Sequence, residues 1–125
     1  MNQKPLAFII MLLSSTSWSQ YIESVTYINT TPVVTLASVA NLPLEYDVET
    51  YKVVYNTIDP QGQAIIASGA LCIPVTEDCT GFPMAVYEHG TSLRKVDVPS
   101  NDIQETYIGK IFAAGGFNVV LPDYI

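Results

Sequence analysis

Positive charge is scarce in these 125 residues: 5 Lys and Arg stand against 12 Asp and Glu, a formal net charge of −7. The cations are scattered, with only Arg94 and Lys95 adjacent. No basic patch exists to neutralise phosphates or anionic headgroups, which excludes nucleic acid as a partner. Histidine occurs once, at His89, and cysteine twice, at Cys72 and Cys79. One imidazole and two thiols fall short of a tetrahedral zinc set, so neither a metal nor another cofactor is expected. Charged residues of both signs make up only 14% of the chain while 49% is hydrophobic, a balance that excludes disorder and permits a core.

The first segment reads as an address. Lys4 precedes an apolar run from Leu6 to Leu13, and Ser14–Ser19 follows with small residues, the order of a secretory signal. The run is 8 residues long, whereas a bilayer span takes about 20. Residues 1–19 are therefore expected to be a signal peptide, with Ser17 and Ser19 at the −3 and −1 positions of the cleavage site and Gln20 as the mature N-terminus. The product is expected to be secreted or periplasmic, with no stable membrane span after cleavage. No cysteine closes the apolar run, so no lipoprotein anchor is indicated. Export to an oxidising compartment favours a bridge between Cys72 and Cys79 over two free, partly buried thiols. A loop that short would contribute roughly 2–3 kcal/mol.

Residues 20–50 form a lead segment of mixed pattern. Thr31-Pro32 resembles a helix start, and Leu42-Pro43 closes a short helix containing Leu36, Ala37 and Ala40. Asn29-Thr30-Thr31 matches the N-glycosylation pattern and suggests a surface loop. From Tyr51 the signal sharpens. Tyr51, Val53 and Tyr55 alternate with Lys52 and Asn56, the period of a half-buried strand running to Ile58. Asp59-Pro60-Gln61-Gly62 supplies a type I turn, and a second strand runs from Ala64 to about Ile73, giving an antiparallel hairpin. Gly69 within it marks a bulge or a sharp twist.

After Gly81-Phe82-Pro83 the pattern changes. Met84–Tyr87 is a continuous apolar run, as in a parallel strand buried on both faces. Asn101, three residues before Gln104, predicts a capped helix with Asp102 and Glu105 in its first turn. Ile103, Tyr107, Ile111 and Phe112 form its apolar stripe, Lys110 lies toward its C-terminal end, and Gly115-Gly116 ends it. Phe117–Leu121 is a further apolar run. Strand, helix and strand make a βαβ unit, and in open sheets of this kind chemistry gathers beyond the carboxyl ends of the strands. Those ends are Glu88-His89-Gly90-Thr91-Ser92 and Asp123-Tyr124.

Tyr51-Lys52-Val53-Val54-Tyr55 with its hairpin, Ile73-Pro74, Val86-Tyr87-Glu88-His89-Gly90-Thr91 and Gly116–Tyr124 occur in an order that resembles the α/β-hydrolase family, especially secreted lipases and esterases. The likeness covers residues 51–125 and implies an incomplete α/β-hydrolase domain. It implies that the loop after the His-Gly pair donates a backbone N–H to an oxyanion hole, with Thr91 as donor, Gly90 allowing close backbone approach and His89 orienting the loop. Tyr124 would line the substrate pocket. The family's G-x-S-x-G nucleophile elbow is absent. Gly90-Thr91-Ser92-Leu93-Arg94 lacks the closing glycine and sits one strand too early. The expected reading is an N-terminal fragment truncated before the elbow, lacking the Ser-Asp-His triad and inactive alone.

The expected activity of the whole protein is serine hydrolysis of a small-molecule or lipid ester. A secreted serine peptidase shares the hairpin and His-Gly loop and is the nearest rival; a dense β-rich segment upstream would favour it, whereas the 31 residues from Gln20 to Thr50 lean toward an esterase. A small secreted binding or adhesion domain is the alternative from another class.

Overall fold

The computed structural model describes residues 20–77, 81–90, 94 and 96–124. In chain order these form strand β1 (Ile22–Thr31), helix α1 (Val33–Ala40), strands β2 (Val48–Ile58), β3 (Ala64–Pro74) and β4 (Met84–Val86), a 3-10 turn at Pro99–Asn101, helix α2 (Thr106–Ala114) and strand β5 (Asn118–Asp123).

The β2–β3 hairpin follows from its turn chemistry. The Gly62 N–H donates to the Asp59 carbonyl at 2.9 Å, and Asp59 Oδ1 accepts from the amides of Gln61 and Gln63. Gly62 sits at φ +79°, a conformation that glycine adopts without steric cost. The ladder then runs in register from Ile58 opposite Ala64 to Val48 opposite Pro74. Gly69 does not interrupt it, so the expected bulge is absent. The glycine answers a different need: a Cβ there would lie 2.8 Å from the Leu121 carbonyl oxygen and 3.2 Å from Pro122 Cα.

Five strands form one sheet in the order β1-β2-β3-β5-β4. β5 runs antiparallel to β3 and parallel to β4, with Met84 opposite Asn118 and Val86 opposite Val120. The expected βαβ unit is thus present, with α2 in the connection. Its first strand departs from expectation. β4 lies at the edge of the sheet, and Met84 and Val86 are 72% and 61% exposed rather than buried.

α1 and α2 pack with the sheet around Leu36, Val48, Ala70, Cys72, Ala113, Ala114, Val119 and Leu121. α1 begins at Val33, with Pro32 as its N-cap, and ends at Asn41 in a left-handed conformation. The cap expected for α2 does not form. Asn101 donates to the Val96 carbonyl instead, and Asp102, at φ 54°, ends the 3-10 turn outside the helix. The buried face of α2 is also rotated from the apolar stripe: Thr106, Gly109, Lys110, Ala113 and Ala114 face inward while Phe112 is half exposed. Small residues are needed because the helix lies close to β5, where a Cβ on Gly109 would meet Leu121 Cδ1 at 2.5 Å. At the far end the helix exits through Gly116, at φ +95°.

Lys110 is 1% exposed. Its Nζ lies 2.6 Å from Asp102 Oδ1 and donates to Asn29 Oδ1 at 3.3 Å, while Asn29 Nδ2 donates to Asp102 Oδ2 at 2.6 Å. Asn29 is therefore no surface-loop glycan acceptor: it lies in β1, and its amide nitrogen is already engaged. Cys72 also departs from expectation. It is a free thiol facing the core, with Thr50 Oγ1 at 3.9 Å, and burial pushes it up to about 11. Its expected partner Cys79 and the expected signal peptide, residues 1–19, lie outside the described residues.

Candidate active site

The carboxyl ends of the parallel strands bring His89, Gly90 and Tyr124 together. β4 is extended by one further ladder bond, Tyr87 N–H to the Val120 carbonyl at 2.9 Å. The chain then turns through Glu88 into His89. Gly90 carries both anchors of this turn. Its carbonyl lies 2.6 Å from His89 Nδ1, and its N–H donates to Glu105 Oε1 at 3.3 Å. A carbonyl can only accept, so Nδ1 carries the proton and a neutral ring presents Nε2 as an acceptor.

His89 is 6% exposed, and its Nε2 is buried without a hydrogen-bond partner. The ring packs on Tyr124, centroids 4.5 Å apart and planes tilted by 32°. Burial, and then the negative charge of Glu88 and Glu105, push the Tyr124 phenol above its ordinary range. Tyr124 also borders a groove of about 470 Å³ whose other walls include Tyr55, Ile65, Ala67 and Pro122. At Gly90, a Cβ would meet nothing within 4 Å among the described residues, so on their side open space adjoins this backbone. Thr91, the expected amide donor, and Ser92 lie outside the described residues.

Asp123 is occupied by the scaffold. Its Oδ2 accepts from Ser68 Oγ at 2.6 Å and its Oδ1 from the Ser100 N–H at 2.9 Å. This carboxylate ties the 3-10 turn to the end of β5, and Thr106 Oγ1 reinforces the turn by donating to the Pro99 carbonyl at 3.0 Å. Among the described residues no group of three or more His, Cys, Asp or Glu side chains could hold a metal ion. No helix among them is long and apolar enough to cross a membrane.

The residue the sequence pattern misplaces is Glu105. As an acid ahead of a helix it reads as a partner for the helix dipole, yet its side chain makes no cap bond to α2. Its Oε1 instead accepts from Tyr87 Oη at 3.0 Å as well as from Gly90. That hydrogen bond holds the Tyr87 phenol above its ordinary range. Spacing carries no sign of such a contact; only the fold brings the start of α2 against the exit of β4.

No family model and no curated protein matches the chain. Among solved structures it is similar to a proposed hydrolase from Legionella pneumophila, at 27% identity over 83% of this chain with a TM-score of 0.72. It is also similar to the rice cell wall degrading esterase LipA from Xanthomonas oryzae, at 22% identity over 83% of this chain with a TM-score of 0.70. The chain spans 30% of the length of the first structure and 28% of the second. The antiparallel β2–β3 hairpin, the parallel β4–β5 pair and the α2 crossover between them are part of an α/β-hydrolase fold.

Proposed function

We propose that this chain is the N-terminal portion of an exported serine hydrolase that cleaves carboxylic esters, and that it supplies one oxyanion-stabilising amide from the loop beyond β4. The observation that carries the reading is the double anchoring of Gly90, through its carbonyl to His89 and through its N–H to Glu105. In a planar trans peptide the carbonyl and the following N–H point in opposite directions. The Gly90 carbonyl shares its peptide unit with the next N–H in the chain, that of Thr91, the proposed donor. In acyl transfer, negative charge develops on the carbonyl oxygen, and one preorganised donor is worth about 3–4 kcal/mol to the transition state.

The remaining parts follow from this assignment. The open space at Gly90 admits the ester carbonyl, and Tyr124 walls the groove that takes one substituent of a small-molecule or lipid ester. His89 orients the loop and is not the catalytic base, because its Nε2, the nitrogen left to accept a proton, is buried away from solvent. Residues 1–19 act as the export signal, residues 20–50 lead into the sheet, and residues 51–125 contribute the first part of the hydrolase domain. The sequence has no G-x-S-x-G, so the nucleophile, acid and base belong to the remaining length. The likeness at 27% identity to a proposed hydrolase, of whose chain only 30% is covered, supports this division.

The test is turnover of p-nitrophenyl butyrate together with labelling by a fluorophosphonate, which reacts with an activated serine. The full-length protein is expected to do both, and residues 20–125 alone neither. Turnover by residues 20–125, or a folded full-length protein without turnover, would overturn the proposal.

A further inference from the structure

We infer that Glu105 is a positioning residue that clamps the oxyanion loop to the start of α2; its kinetic consequence rests on the ester-hydrolase reading, its structural consequence on geometry alone. One carboxylate oxygen accepts from two donors that bracket His89: Tyr87 Oη on one side at 3.0 Å and the Gly90 N–H on the other at 3.3 Å. Tyr87 is itself fixed in the sheet through its bond to Val120. The backbone at Glu105 is already helical, φ −68° and ψ −24°, and the residues after it form α2. A rigid helix start and a strand end thus meet at one oxygen atom, and the loop leaves from that junction.

The arrangement does two things. It removes the Gly90 amide from the set of free donors, in keeping with the proposed assignment of the donor to another amide. It also holds the His89–Gly90 peptide from its N–H side, while the Gly90 carbonyl, in the next peptide, lies on His89 Nδ1 and fixes the imidazole tautomer. Neither effect needs negative charge. A full charge beside a developing oxyanion would oppose it. What the loop requires of residue 105 is an acceptor at the right reach.

That requirement separates three substitutions in the full-length protein. Glu105→Gln keeps an acceptor oxygen at the same reach and is expected to keep kcat within about threefold of wild type. Glu105→Asp keeps the charge but falls one methylene short of the two donors. It is expected to lower kcat about 10- to 100-fold with KM changed less than about twofold, the signature of a misplaced transition-state donor. Glu105→Ala should match or exceed that loss. A readout independent of activity is amide hydrogen exchange at Gly90, with the side-chain nitrogen shifts of His89. Exchange should accelerate about tenfold or more in Glu105→Asp and not in Glu105→Gln, and the Nδ1–H tautomer should lose its dominance only in the former.

A role confined to helix stability would lower the melting temperature of all three variants without moving Gly90 exchange relative to its neighbours, and would overturn the inference. So would a Glu105→Gln variant as impaired as Glu105→Asp. If Glu105→Asp frees the Gly90 amide but wild-type protein cleaves no ester, the ester-hydrolase reading falls while the clamp stands. If wild type cleaves esters and Glu105→Asp does so equally well, the clamp falls and the hydrolase reading stands.

Discussion

Replacing Lys110 with methionine tests whether the tie between β1 and α2 is ionic or merely packed. The lysine is 1% exposed, and its Nζ meets Asp102 at 2.6 Å, Asn29 at 3.3 Å and the Tyr107 ring at 5.1 Å. Methionine keeps the length and apolar bulk of the stem but leaves the Asp102 carboxylate without its counter-charge. Breaking a fully buried pair from one side costs about 3–5 kcal/mol. The Asp102 side chain is 22% exposed, so water partly compensates, and about 2–3 kcal/mol is the expected cost of Lys110→Met. Asp102→Asn removes the leftover charge, and asparagine tolerates the left-handed backbone at that position. The double variant is therefore expected to return to within about 1 kcal/mol of wild type, a coupling of at least about 1 kcal/mol. Urea denaturation of the four proteins of this cycle gives each value. A Lys110→Met variant within about 0.5 kcal/mol of wild type, or a double variant as unstable as the sum of the singles, would refute the ionic account.

Cys72 provides a test by pH. Its thiol is raised from 9.0 to about 11, mainly by burial, so between those values the folded protein holds a proton that the unfolded chain has lost. Stability is then complete below about pH 9 and falls as pH rises toward 11, by up to about 3 kcal/mol, a loss that Cys72→Ala should reduce. At pH 8 the native thiol should react with iodoacetamide about a hundredfold more slowly than an ordinary cysteine, and promptly after unfolding without reductant. Reaction only after a reductant is added would instead mean that Cys72 is bridged. The two close-packed glycines should respond in opposite order to their nominal contacts. Gly69→Ala drives a Cβ against the Leu121 and Pro122 backbone, which cannot yield, at a cost of about 3 kcal/mol. Gly109→Ala meets only the end of the Leu121 side chain and gains about 1 kcal/mol of helix propensity, so its thermal midpoint should fall clearly less. Equal losses would show that the α2–β5 spacing is as rigid as the sheet.

These perturbations also mark how far the fold was readable from the sequence. The β2–β3 hairpin was legible because Asp59, Pro60 and Gly62 act on one another within four residues, and the bonds from Asp59 are the ones that type of turn requires. The βαβ order was legible for a similar reason, since apolar runs and Gly115-Gly116 are contiguous signals. β1 was not. Register shifts between Ile22 and Ser24 and between Tyr27 and Asn29 break its two-residue period, and as an edge strand it is largely exposed, so no alternation accumulates. α2 misled in its face because its apolar stripe was weighed by hydrophobicity, whereas its close approach to β5 selects for size. Gly109 and Ala113 fit there while Phe112 does not, and Lys110 is admitted by a partner that lies across the fold.

The candidate site divides along the same line. The His89-Gly90 turn is legible as a turn because it is made of consecutive residues, one bonding to the next. Glu105 reads in the sequence as a partner for a helix dipole and Asp123 as one of the residues at a strand end where chemistry gathers, because a sequence shows an acidic side chain only next to its own element. In the structure each reaches a different element: Glu105 the end of β4, Asp123 both Ser68 in β3 and the turn at Ser100. A single carboxylate can accept several hydrogen bonds at once, and both of these use that capacity to fasten loops at the carboxyl ends of the parallel strands. Loops that must present a backbone amide at a fixed point need that kind of anchoring, because a misplacement of about 1 Å costs as much as losing the donor. The acids around this site therefore act as mounts, Glu105 for the turn at Gly90 and Asp123 for the turn at Ser100, and on the proposed reading the chemistry is left to a backbone amide.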